Sequence, residues 1–158
     1  MVVRRISVLC FLALVAMPFA ACAQQAPAKP KTLYERLGGY DMIAKIVDNL
    51  LPKLGEDPVI RPVVDGLADT TRMRNRQFIV DQICNLTGGP CLYTGRTMEA
   101  SHQGLKITNE MYDLQQKHLG EVLDGLKIRD PERGEVIAAL EKLRAEIVEK
   151  PKADAKKP

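Results

Sequence analysis

The chain has 158 residues, 23 of them basic and 20 acidic, with 46% hydrophobic residues, two histidines and no tryptophan. That length suits one small domain and argues against a multidomain enzyme with its own nucleotide-binding unit. The nearly balanced charge gives no electrostatic reason to expect a nucleic-acid partner.

Residues 1–23 read as a removable export signal. Arg4 and Arg5 precede an apolar run of 12 residues from Ile6 to Met17, and Pro18 and the small residues Ala21, Cys22 and Ala23 follow. Such a run is too short to cross a bilayer as a helix, so no transmembrane span is expected. Its removal takes two basic residues and no acidic one, leaving 21 against 20, a net charge of +1. Cleavage after Ala23 releases a soluble periplasmic protein. The alternative reads Phe19-Ala20-Ala21-Cys22 as a weak lipobox, giving a lipoprotein anchored through Cys22, a pattern that Phe19 fits poorly. Residues 24–31 (QQAPAKPK) form a polar, proline-bearing linker, and the tail 150–158 (KPKADAKKP) is a disordered segment of the same kind.

Between them, residues 32–149 carry apolar residues at helical spacing nearly throughout. Asp41 can cap a helix whose stripe is Met42, Ile43, Ile46, Val47, Leu50, Leu51 and Leu54, with Pro52 expected to bend or shorten its last turn. A loop from Gly55 to Asp69 leads to a second helix, Thr71 to about Thr87, which Gly88-Gly89-Pro90 ends. After the loop Tyr93-Thr94-Gly95, Thr97 can cap a short helix placing Met98 and His102 on one face, with Gly104 as its end. Thr108 caps a longer helix with Met111, Leu114, Leu119, Val122 and Leu126 inward. Asp130-Pro131-Glu132 starts the last, whose stripe is Val136, Ile137, Leu140, Leu143 and Ile147. No segment alternates with period two for long enough to form a strand. The fold class is therefore all-α, with four main helices and two or three short ones, and some 125 ordered residues can bury a self-sufficient core.

Export makes Cys84 and Cys91 a pair in an oxidising compartment, since Cys10 leaves with the signal. Seven positions apart across Gly88-Gly89-Pro90, they can close a small disulfide loop that pins the end of a helix. Two buried free thiols are the other reading. A metal pair is disfavoured, because no second Cys or His stands nearby. No Ser-His-Asp set, paired carboxylates or glycine-rich phosphate loop is visible, and no catalytic residue is assigned. His102 is the unusual feature: one imidazole on a short helix amid Met98, Leu105, Ile107 and Tyr112. A haem iron needs only one such ligand, because the macrocycle supplies four nitrogens. Read from spacing alone, a packed or surface histidine is the plainer account.

Thr32-Leu33-Tyr34-Glu35-Arg36-Leu37-Gly38-Gly39, Gly88-Gly89-Pro90, Tyr93-Thr94-Gly95, Met98 and His102-Gln103-Gly104-Leu105-Lys106-Ile107-Thr108 together resemble a group I truncated haemoglobin, from about Thr32 to Val148. The resemblance implies a truncated globin-like two-over-two helical sandwich holding haem b. It places His102 on the iron as proximal ligand, with Met98, Ile107 and Tyr112 packing against the porphyrin. Its δ N–H would bond the Met98 carbonyl, leaving the ε nitrogen for iron. On the distal side Leu51 stands where the family usually has a hydroxyl-bearing tyrosine, and Val63 and Val64 replace loop aromatics. One register puts Met73 and Gln77 over the haem and the other Asn75 and Ile79; a polar donor near bound oxygen favours Gln77.

His118 lies too far along its helix to face the same iron, and a side-chain contact with Glu121 one turn on is expected of it. No histidine stands in the second main or the last helix, so neither bis-histidine ligation nor covalent attachment through the last helix is available. Cys84 and Cys91 form no C-x-x-C-H motif for a c-type link. The function implied is reversible binding of oxygen, nitric oxide or carbon monoxide, with nitric oxide detoxification through a dioxygenase activity and a reductase partner as an extension. A haem-free helical binding module of globin fold is the alternative that Leu51, Val63 and Val64 favour.

Overall fold

A computed structural model describes residues 29–65 and 68–149. The export signal with Cys10 and Cys22, most of the linker and the tail lie outside the described residues. Among the described residues there are eight helices and no strand.

The first, α1 (Leu33–Leu37), starts at a capping box: the Thr32 hydroxyl accepts the Glu35 N–H at 3.2 Å, and the Glu35 carboxylate accepts the Thr32 N–H at 2.7 Å. Gly38 at φ 101° ends it in the left-handed region, where a side chain would be strained. The next helix, α2 (Tyr40–Glu56), begins before Asp41, which occupies the first turn rather than the cap and there opposes the positive end of the helix dipole. It also runs on through Pro52 to Glu56, so its last turn is not shortened. Leu54 beyond the proline is buried in the core, and burying a leucine stabilises by about 2 kcal/mol, which offsets most of the roughly 3 kcal/mol an internal proline costs.

The expected loop from Gly55 to Asp69 contains a short helix, α3 (Arg61–Val64), and the next, α4 (Asp69–Leu86), starts two residues earlier than Thr71. Thr97 caps α5 (Met98–His102) and Thr108 caps α6 (Asn109–Gly125), each hydroxyl accepting at 3.2 Å from the N–H three residues on. The last helix is broken into α7 (Glu132–Glu141) and α8 (Arg144–Ile147). At the break the Leu143 N–H bonds the carbonyl three residues back, on Leu140, so the chain tightens there. The stripe survives the break, since Val136, Leu140 and Ile147 are all buried.

The helices pack as two pairs, α2 with α4 and α6 with α7, joined where α2 crosses α6, while α1 lies on α7. Ile43, Ile46, Val47, Val80, Leu119, Leu123 and Val136 meet at that crossing and are all but inaccessible to solvent. Arg76 clasps Asp48 with two bonds of 2.7 and 2.8 Å, fixing α4 on α2, and Arg36 bridges Glu132 and Glu135, fixing α1 on α7. Cys84 and Cys91 are joined in a disulfide, with Cα atoms 5.8 Å apart, which ties the end of α4 to the segment leading into α5.

Candidate functional site

His102 is the last residue of α5, a helix that Thr97 starts and that Gln103 and Gly104, at φ 82°, bring to an end. Its Nδ1 lies 2.7 Å from the Met98 carbonyl oxygen. A carbonyl can only accept, so Nδ1 carries a proton and donates, and in the neutral tautomer that this bond selects the lone pair is on Nε2. The imidazole is half-buried, as are Met98 and Ile107. Beyond it the chain is held from α8, against which α5 packs: the Lys106 N–H donates to the Glu149 carboxylate, and the Glu149 N–H to the Ile107 carbonyl, both at 2.9 Å. These bonds keep Lys106 at φ 56°, a left-handed conformation that a non-glycine residue holds only when its surroundings fix it.

Tyr112 stands apart from this face in one respect. It is fully buried, its hydroxyl donates to the Leu140 carbonyl at 2.6 Å, and the Arg144 guanidinium covers one face of its ring at 4.5 Å. Burial pushes its pKa up to about 12, so it remains a neutral donor. Leu51 is half-buried against the core, and Val63 and Val64 are half-buried in α3. Met73 is 64% exposed, and the Gln77 amide donates to the Tyr40 hydroxyl at 2.7 Å and to the Asp81 carboxylate at 2.9 Å. Gln77 is thus engaged toward the start of α2.

A different set from α4 lines a hollow of about 420 Å³: Arg74, Asn75 and Phe78, facing Thr94, Gly95 and Arg96 of the segment before α5. Phe78 meets Tyr93 edge-on, with ring centroids 6.1 Å apart. Phe78 and Arg96 were not singled out in the sequence, and Tyr93 was read only as part of the loop before the His102 helix. The signal available was the register counted back from Gly88, which sets Asn75 and Ile79 one turn apart with Phe78 between them. Among the described residues no three His, Cys, Asp or Glu side chains gather into a metal site. No described helix is long and apolar enough to cross a membrane.

His118 makes its main contact elsewhere than expected. Its Nε2 is 2.8 Å from the Asp57 carboxylate, while Glu121 is 3.6 Å from Nδ1. Asp57 ends α2, and its other oxygen accepts the Val59 and Ile60 N–H groups. It takes the histidine because α6 packs across α2. The His118 hydrogen bond and these backbone donors hold the Asp57 carboxyl below the usual carboxylate range. A carboxyl depressed on folding stabilises above its ordinary pKa of about 4 and loses that contribution as pH falls through the folded value. Asp57→Asn is therefore expected to be less stable than the parent at neutral pH, with the gap narrowing below about pH 4, as read from thermal melts across pH.

Comparison with known proteins bears on the whole folded region. The model of the bacterial-like globin family matches residues 32–149. A group 1 truncated haemoglobin of Nostoc commune is 34% identical over 90 residues, covering 57% of this chain and 74% of that protein. One of Mycolicibacterium paratuberculosis is 28% identical over 120 residues, covering 76% and 86%. Among solved structures, the Fe(III) truncated haemoglobin of Tetrahymena pyriformis superposes with a TM-score of 0.70 at 25% identity, over 76% of this chain and all of that one. The 2/2 haemoglobin of Synechococcus, at 24% identity and a TM-score of 0.67 over 75% and 98%, shares the fold.

Proposed function

This chain belongs to the bacterial-like globin family, and from that premise we propose that it binds haem b through His102 and a diatomic gas on the opposite face. Haem, when bound, would supply the iron at which a diatomic gas binds, and His102 would hold it. The observation that carries the reading is the 2.7 Å bond from His102 Nδ1–H to the Met98 carbonyl, which fixes the tautomer and aims the free Nε2 away from its own helix. Met98 and Ile107 supply apolar, half-buried surface beside it.

On the other face the chain offers little to a bound gas. Leu51 has no donor, and the Gln77 amide is already taken by Tyr40 and Asp81, which supports the register with Asn75 and Ile79 over the haem. Asn75, which lines the hollow facing Thr94, Gly95 and Arg96, is the amide that this register leaves for a bound gas, and with no hydroxyl at Leu51 bound oxygen leaves quickly. Leu51→Tyr is expected to slow oxygen dissociation roughly tenfold, because one hydrogen bond to a partly charged ligand contributes about 1.5 kcal/mol. Stopped-flow displacement of oxygen measures it, and an unchanged rate would remove Leu51 from the distal wall.

Nitric oxide dioxygenation belongs to the same proposal and requires an external electron donor, a reductase. So does the place of action, the periplasm, which rests on the export signal read in residues 1–23 and is tested by fractionating cells that express the full gene. The central experiment is the absorption spectrum of protein made with adequate haem, in ferric, dithionite-reduced and carbon monoxide forms. A Soret band that shifts on adding carbon monoxide supports a haem with an open sixth position. A folded helical protein that takes up no haem sinks the reading.

A further inference from the structure

The bridge between Cys84 and Cys91 stands where it can govern the chain that carries His102. Cys84, near the end of α4, is fully buried, whereas Cys91 is half-buried beside Leu92, which is 77% exposed. From Cys91 the chain passes Tyr93, set edge-on against Phe78 of α4, and Arg96, whose carbonyl accepts the Tyr93 hydroxyl at 2.6 Å. It then reaches Thr97, the cap of the His102 helix. While the bridge is closed, the start of this segment is covalently part of α4. Once it opens, the contacts that remain between this segment and α4 include the exposed 3.2 Å bond from the Asn85 amide to the Cys91 carbonyl and the Phe78–Tyr93 contact, both weak.

We propose that the Cys84–Cys91 disulfide is a redox latch: a dithiol reductant opens it, freeing residues 92–97 from α4 and loosening the hold on the His102 helix. The reductant's thiolate attacks Sγ of Cys91, the more accessible sulfur. The Cys84–Cys91 bond breaks, and Cys84 leaves as a thiolate that takes up a proton. The reductant's second thiol then attacks the mixed disulfide, closes its own disulfide and releases Cys91 as a thiol. Two electrons and two protons pass from the dithiol to the bridge. A monothiol opens it poorly, because Cys84, held in place on α4, reverses the mixed disulfide before a second molecule arrives. A dithiol carries its resolving group with it. The effect on haem rests on the reading of His102 as its ligand; release of the segment does not.

Arg96 is exposed within the segment, so tryptic cleavage that yields a new N-terminus at Thr97 reports release without reference to haem. The full chain with the bridge closed, the same protein after dithiothreitol treatment, and Cys91→Ala are compared. Cleavage roughly tenfold faster in the two open forms is expected, and equal rates overturn the latch. If Cys91→Ala does not fold, the dithiothreitol-treated protein decides alone. The same preparations loaded with ferric haem, after removal of the reductant, are expected to pass it to apomyoglobin several-fold faster when open. Faster cleavage with unchanged haem transfer overturns the link to His102. Failure of the wild-type chain to take up haem counts against the proposed function and leaves the latch to the cleavage rates.

Discussion

His102→Gly is expected to lower haem affinity by more than about a hundredfold and to abolish the five-coordinate ferrous spectrum, with imidazole added from solution restoring it. Nε2 of His102 is the free lone pair on a half-buried imidazole whose other nitrogen is committed to Met98, and no second histidine is near it in sequence. Glycine suits the position structurally, because His102 ends α5 and the following residues already leave the helix. Rescue by imidazole separates a lost ligand from a lost fold, and circular dichroism of the apoprotein gives the second control. A variant that keeps wild-type haem affinity and spectrum would move the ligand elsewhere.

Gly89→Ala is expected to destabilise by about 3 kcal/mol, lowering the melting temperature by roughly 10 °C. A Cβ at Gly89 would stand 2.5 Å from the Tyr34 ring, 2.7 Å from Cys84 Sγ and 2.9 Å from the Cys84 carbonyl oxygen. None of the three can yield cheaply. The sulfur is tied to Cys91, the carbonyl is in the last turns of α4 and accepts the Gly89 N–H at 2.8 Å, and the Tyr34 backbone is bonded to Thr87 at 2.8 Å. Gly55→Ala is the control, since a Cβ there meets nothing within 4 Å and the residue lies inside α2. It is expected to stabilise by about 0.5 to 1 kcal/mol, through reduced freedom of the unfolded chain. Equal effects of the two substitutions would show that the Gly89 corner is looser than its contacts imply.

Local signals are legible wherever the residues that satisfy one another are close in the chain. Thr32, Thr97 and Thr108 each cap the helix they precede, because the donor they accept from is three residues away. The Cys84–Cys91 loop and the His102–Met98 bond are likewise short-range. The sequence is less informative where a local rule meets a distant partner. Pro52 reads as bending or shortening the last turn of its helix, yet α2 runs on to Glu56 with Leu54 anchored in the core. The apolar stripe after Glu132 reads as one helix, yet the chain breaks before Arg144, whose guanidinium is drawn to Glu141, Asp113 and the ring of Tyr112.

By itself, then, the sequence determined the helical class, the caps at Thr97 and Thr108, the glycine corner and the bond from His102 to the Met98 carbonyl. Only the tertiary structure decided which side chains meet across the core. Gln77 reaches Tyr40, 37 residues away; His118 reaches Asp57, 61 residues away, as well as Glu121; and the Tyr112 hydroxyl reaches Leu140. The physical reason is range. Helix periodicity and capping depend on bonds three or four residues long, whereas a buried polar group takes whichever partner the crossing of two helices brings within 3 Å, and that crossing is set by the whole apolar core.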